Sequence, residues 1–162
     1  MALLDGAIEM EERARSFYEE AAGRVRDPSS KRILALLAKE ESRHAAALKE
    51  LKGGVYGKLE RSLLSEDVRG IIEGGVKEGK EAVSEDASMR GILQEAMEIE
   101  SATRTFYVEK RKETADPKER ELFSLLAEQE LRHYLLVSGL AEYFDRPAEW
   151  IEAAEFGLRP EY

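Results

Sequence analysis

Glu41-Ser42-Arg43-His44 returns 89 residues further along the chain as Glu130-Leu131-Arg132-His133, and these two stretches hold the only 2 histidines of the sequence. On a helix, Glu-x-x-His sets a carboxylate and an imidazole on one face, roughly 4.5 Å apart in rise. The correspondence reaches well beyond the motif. Residues 7–51 align with 96–140 without a gap, and 16 of 45 positions are identical. The matches include Glu11/Glu100, Phe17/Phe106, Tyr18/Tyr107, Asp27/Asp116 and Pro28/Pro117. A period this long fits neither a solenoid nor a propeller blade. It fits two copies of one helical hairpin.

Each hairpin is legible in its own residues. Leu4, Ile8, Glu11, Ala14, Tyr18, Ala22 and Val25 recur at three- and four-residue steps, the spacing of one helix face. Asp27-Pro28 then ends that helix and opens another, with Asp as N-cap and Pro at the first helical position. The second helix carries Ile33, Leu37, Glu41, His44, Leu48 and Leu51, and Gly53-Gly54 closes it. The second copy repeats this with Leu93, Met97, Glu100 and Tyr107, then Leu122, Leu126, Glu130, His133, Val137 and Leu140. The expectation is an all-α chain with four helices of about 24–28 residues, each roughly 36–42 Å long.

The repeat halves span 2–52 and 87–144, with a connector over 53–86 and a C-terminal segment over 145–162, all read as one domain. Adjacent antiparallel helices need only about 2–8 linking residues. The connector is long enough to run the length of a bundle, so the second and third long helices can lie parallel. Within it, Ser65 through Glu81 reads as a weak helix weakened by Gly70, Gly74, Gly75 and Gly79. Asp145-Arg146-Pro147 signals a short C-terminal helix near Ala148–Glu155, with Trp150, Ile151 and Phe156 packing on the bundle or on a second subunit.

Six polar residues occupy positions the helical pattern reserves for the core: Glu11, Glu41, His44, Glu100, Glu130 and His133. Burying one ionised carboxylate without a partner costs several kcal/mol, so four together require compensation. Four carboxylates carry −4, and two divalent cations carry +4. The levels agree as well. Glu11 lies 16 residues before Asp27, while Glu41 and His44 lie 14 and 17 after it, and counting from Asp116 gives the same numbers in the second copy. One Glu on each of two helices and Glu-x-x-His on each of two others is the ligand arrangement of dimetal carboxylate bundles. Tyr18 and Tyr107, two turns beyond Glu11 and Glu100, are candidates to hydrogen-bond ligating carboxylates and to supply protons. Arg15/Arg104, Arg43/Arg132 and Glu20/Glu109 read as solvated ion pairs.

Composition narrows the chemistry. The chain has 162 residues, 36% charged and 7% aromatic, with no cysteine. Thiol nucleophiles, disulfides, Cys-ligated zinc and iron–sulfur clusters are thereby excluded from it. A net charge of −9 argues against nucleic acid as a partner. No apolar run approaches the roughly 18 residues of a membrane span. Met1-Ala2-Leu3-Leu4-Asp5 lacks the pattern of a secretory signal, so a cytoplasmic location is expected.

Glu11-x6-Tyr18, Glu41-x-x-His44, Glu100-x6-Tyr107 and Glu130-x-x-His133 resemble the rubrerythrin-related branch of the ferritin-like diiron proteins, over nearly the whole chain. The resemblance implies a ferritin-like four-helix bundle with a long crossover, holding two iron ions near its middle. It further implies that Glu41 and Glu130 bridge the metals, with Glu11 and His44 completing one and Glu100 and His133 the other. Oxygen and nitrogen donors also suit manganese, and zinc can occupy such a site. The implied activity is reduction of hydrogen peroxide or dioxygen, or ferroxidase chemistry, in a homodimer. Without cysteine there is no rubredoxin centre, so electrons come from an external donor. Rubrerythrins carry a further Glu one turn after the third-helix ligand, and here that turn reads Ser101-Ala102-Thr103-Arg104. Non-catalytic iron binding or handling is the alternative, and an interaction scaffold that never takes up metal is a third.

Overall fold

The computed structural model describes residues 2–57, 59–60, 62–77 and 87–145. Among them lie five helices and no strand: α1 (Ala2–Arg24), α2 (Pro28–Lys52), α3 (Leu64–Lys77), α4 (Ala87–Glu113) and α5 (Pro117–Asp145). The four long helices have 23, 25, 27 and 29 residues, slightly wider in range than the periodicity suggests. The reason is local, because helix ends depend on caps rather than on the apolar stripe.

Those caps are the predicted ones. Asp27 accepts a hydrogen bond from the Ser30 amide at 2.6 Å, with Pro28 opening α2. In the second copy Asp116 accepts from the Lys118 amide at 2.8 Å ahead of the same turn of helix. At the far end of α2, the Gly53 amide reaches the Lys49 carbonyl at 2.9 Å, and Gly54 takes φ +81°, a left-handed conformation that favours glycine.

The helices pair as α1 with α2 and α4 with α5, and the two hairpins meet through α2 against α5 and α1 against α4. Tyr18 of α1 meets Glu100 of α4, while Glu11 meets Tyr107. Numbers rising along α1 therefore fall along α4, so these two helices are antiparallel. Since α2 also runs against α1, α2 and α4 are parallel, as a bundle-length crossover demands. Part of that crossover is α3, laid against α2 with Leu64, Val68, Ile71 and Ile72 buried. The weak helix expected over 65–81 thus forms through Lys77, and its remainder lies outside the described residues. The predicted helix at 148–155, with Trp150, Ile151 and Phe156, lies outside them too.

Two apolar clusters fill the bundle. One gathers Tyr18, Val25, Ile33, Leu37, Leu93, Val137 and Leu140 with the α3 residues. The other gathers Leu4, Leu48, Tyr107, Leu122, Phe123 and Leu126. The six polar core residues sit along the helices between them. Leu93→Ala, which empties a fully buried position in the first cluster, is expected to cost about 2–5 kcal/mol in urea unfolding. A cost near zero would mean that this end of the bundle is not close-packed.

Candidate metal centre

Glu11 comes from α1, Glu41 and His44 from α2, Glu100 from α4, and Glu130 and His133 from α5. All six are at most 1% exposed. Each sits on the inward stripe of its helix at the level the chain counts set from Asp27 and Asp116, so the hairpins bring the predicted residues together.

The His44 Nδ1 atom lies 2.7 Å from Glu130 Oε1 and 3.5 Å from both Glu41 Oε2 and Glu11 Oε2. The His133 Nδ1 atom lies 3.1 Å from Glu41 Oε1, 3.5 Å from Glu100 Oε2 and 3.8 Å from Glu130 Oε2. Glu41 and Glu130 thus each turn one oxygen to either imidazole, while Glu11 faces only His44 and Glu100 only His133. The rings stack nearly parallel, 5.2 Å between centroids. Glu41, His44, Glu130 and His133 offer donor atoms all within 4.8 Å of one another.

Closeness has not produced hydrogen bonds. Glu11 Oε2, both oxygens of Glu41, Glu130 Oε1, His44 Nδ1 and both ring nitrogens of His133 are buried without a hydrogen-bond partner. Native interiors leave few such atoms, and each calls for an explanation. Here the unpartnered atoms are oxygens and nitrogens converging on one interior space. That donor chemistry fits a metal site, with Glu41, His44, Glu130 and His133 at its centre.

In the metal-free cluster, protons carry the compensation. Burial, with the charges of Glu41 and Glu11, pushes the Glu130 carboxyl well above its ordinary range. Burial raises Glu11 to about 7 against the opposing pull of His44. For Glu41 burial acts in the same sense, but the two imidazoles beside it, His133 foremost, prevail and hold it low. Burial alone would make the imidazoles less basic. Glu130 and Glu11 reverse this for His44, and Glu100 and Glu41 for His133, so both are raised.

Tyr18 donates to Glu100 Oε1 and Tyr107 to Glu11 Oε1, each across the interface between the halves. The sequence makes both tyrosines candidates but leaves their partners open. Seven residues of rise separate Tyr18 from Glu11, and the carboxylate it meets is instead the one that the antiparallel α4 brings within reach of its hydroxyl. Burial, and then the adjoining carboxylate, raises both phenols well above their ordinary value. Arg43 departs from its reading as a solvated ion pair: it is partly buried, bonding Glu40 at 2.7 Å and the Glu60 carbonyl at 3.1 Å.

One neighbour of the cluster escapes the sequence reading. Gln129 of α5, 7% exposed, places Oε1 2.9 Å from His44 Nε2. The signal was present, because the residue just before the Glu-x-x-His glutamate is Glu40 in one copy and Gln129 in the other.

A family model described as Rubrerythrin matches residues 2–141. A solved structure described as a hypothetical protein from Pyrococcus furiosus is similar in fold, with a TM-score of 0.62 and 23% identity over 88% of this chain and 87% of that one. No curated protein matches the chain. Among the described residues, no helix is long and apolar enough to cross a membrane.

Proposed function

The chain belongs to the rubrerythrin family, and from that premise we propose that it is a diiron oxidoreductase acting on hydrogen peroxide or dioxygen. The observation that carries this reading is the reach of Glu41 and Glu130, each facing both imidazoles with separate oxygens. Glu11 and His44 would hold one ion and Glu100 and His133 the other, with Glu41 and Glu130 shared. Two ferrous ions so held would supply the two electrons that reduce hydrogen peroxide to water or dioxygen to hydrogen peroxide.

The chain's own residues do the rest. Their helices fix the donors, the two apolar clusters keep bulk water from the cluster, and the tyrosines restrain the outer carboxylates. Tyr18 and Tyr107 keep their protons across the ordinary pH range because their phenols are raised, so each remains a hydrogen-bond donor throughout turnover. With no cysteine in the chain, the electrons that restore the ferrous state arrive from an external donor.

The test is anaerobic. Protein loaded with two equivalents of ferrous iron and mixed with hydrogen peroxide is expected to be oxidised much faster than free ferrous iron at the same concentration. Equal rates would reject the oxidoreductase. The second reading, iron binding without turnover, draws on Thr103, which is 3% exposed in the turn where the resemblance calls for another glutamate. It predicts full loading but no repeated cycle when a reductant is added.

A further inference from the structure

The two halves of the cluster, each with two glutamates and one histidine, are not electrically or geometrically alike beyond those residues. Glu40 and Gln129 occupy the same repeat position, and both are buried. Gln129 crosses from α5 to α2, where its Oε1 meets His44 Nε2 at 2.9 Å, and its amide nitrogen donates to the Glu60 carbonyl at 3.3 Å. A carbonyl can only accept, so Glu60 settles which end of the amide is which. An amide oxygen facing Nε2 then requires the neutral imidazole to carry its proton there. The bare lone pair belongs to Nδ1, the atom that faces Glu11, Glu41 and Glu130.

The other half lacks this device. The Glu40 carboxylate is held by Arg43 at 2.7 and 2.9 Å, and it accepts from Ser62. His133 Nε2 is buried with no hydrogen-bond partner. Among the described residues no hydrogen bond fixes its ring orientation or its tautomer from behind.

We propose that Gln129, oriented by the Glu60 carbonyl of the crossover, is a positioning residue that makes the Glu11–His44 half the tighter of the two metal sites and the first to fill. The inference rests on the dimetal reading of the cluster. A ring already turned with its lone pair inward loses less freedom on binding, and the N–H···O bond behind it strengthens it as a ligand. The crossover thereby takes part in ordering the site. Its segment at Glu60 and Ser62 also ties down Arg43 and Glu40, on the same side of the bundle.

Calorimetric titration of the full chain with manganese, together with histidine NMR of the chain titrated with zinc, tests this. The wild-type protein is expected to bind two ions in two steps about 10-fold or more apart, and the first equivalent of zinc is expected to shift His44 before His133. Gln129→Met keeps the length but removes the acceptor, and it should weaken the first step by about 10–100-fold so that the steps merge. Gln129→Glu restores an acceptor and should keep them separate. Steps that survive in Gln129→Met, steps that merge equally in both variants, or a wild-type chain that fills His133 first or both halves together would overturn the inference alone. A wild-type chain that binds no divalent metal would overturn the dimetal reading and this inference with it. Should Gln129→Met fail to fold, the wild-type filling order and Gln129→Glu still decide.

Discussion

Stripping metal from the protein with a chelator is expected to lower its melting temperature by on the order of 20 °C. At about 1,000 times its dissociation constant, each bound ion adds about 4.1 kcal/mol to stability, so two add about 8 kcal/mol. For a chain of this size each kcal/mol moves the midpoint by about 2–4 °C. The physical source is the set of four carboxylates, each at most 1% exposed, whose charge the two divalent cations of the proposed site would cancel. The gap between loaded and stripped protein should also widen with pH. His44 and His133 are raised, so their contribution to the stripped fold is complete below their ordinary 6.5 and is lost as pH climbs through the folded value. Glu11 and Glu130 act in the same sense, Glu11 between its ordinary 4.5 and about 7. Glu41 is lowered, so its contribution is lost only in acid below 4.5. From about pH 6 to about pH 8 the stripped protein therefore loses stability, while metal competes with fewer protons. Thermal melts with and without chelator at the two pH values check this. Coincident melts would mean that protons alone sustain the cluster.

Glu130→Ala is expected to have the larger effect on metal than any change at the outer carboxylates. The Glu130 oxygens lie 2.7 Å from His44 Nδ1 and 3.8 Å from His133 Nδ1, so in the proposed dimetal site its loss would remove a donor from both ions at once. Loss of a residue that merely supports a ligand already costs about 10–100-fold in affinity, so loss of a shared ligand should exceed about 100-fold. Glu11→Ala removes a donor that faces His44 alone, and one ion should remain. Metal content after dialysis therefore separates them: near zero for Glu130→Ala and near one for Glu11→Ala. Peroxide-driven oxidation of ferrous iron should vanish in the first and fall sharply in the second. Equal metal content in the two variants would contradict the shared role of Glu130. Circular dichroism of the stripped variants guards against misfolding, and Glu130→Gln keeps volume and most packing while weakening the ligand.

Much of the fold was legible because the signals that define it are local. The N-caps at Asp27 and Asp116, the glycine ending at Gly53-Gly54 and the inward stripe from Leu4 to Val25 each involve residues within a few helical turns. The 89-residue repeat added the one long-range fact that a single helix cannot carry, namely that two equivalent hairpins exist. α3 was the weakest element to read, because its glycines lower helix propensity while burial of Val68, Ile71 and Ile72 against α2 raises its stability.

The chain by itself determined that the three donors of each half lie inward and at one level of their own hairpin, since both follow from a period of about 3.6 and a rise of about 1.5 Å counted from one turn. Tertiary structure alone decided who meets whom. Tyr18 bonds Glu100 rather than its own half's carboxylate, Tyr107 bonds Glu11, and Gln129 stands behind His44, whereas no described residue hydrogen-bonds His133 Nε2. These partners are 82, 96 and 85 residues apart. Their contact depends on how α1 faces α4 and α2 faces α5, a relation set by packing between hairpins that no periodicity within a helix encodes.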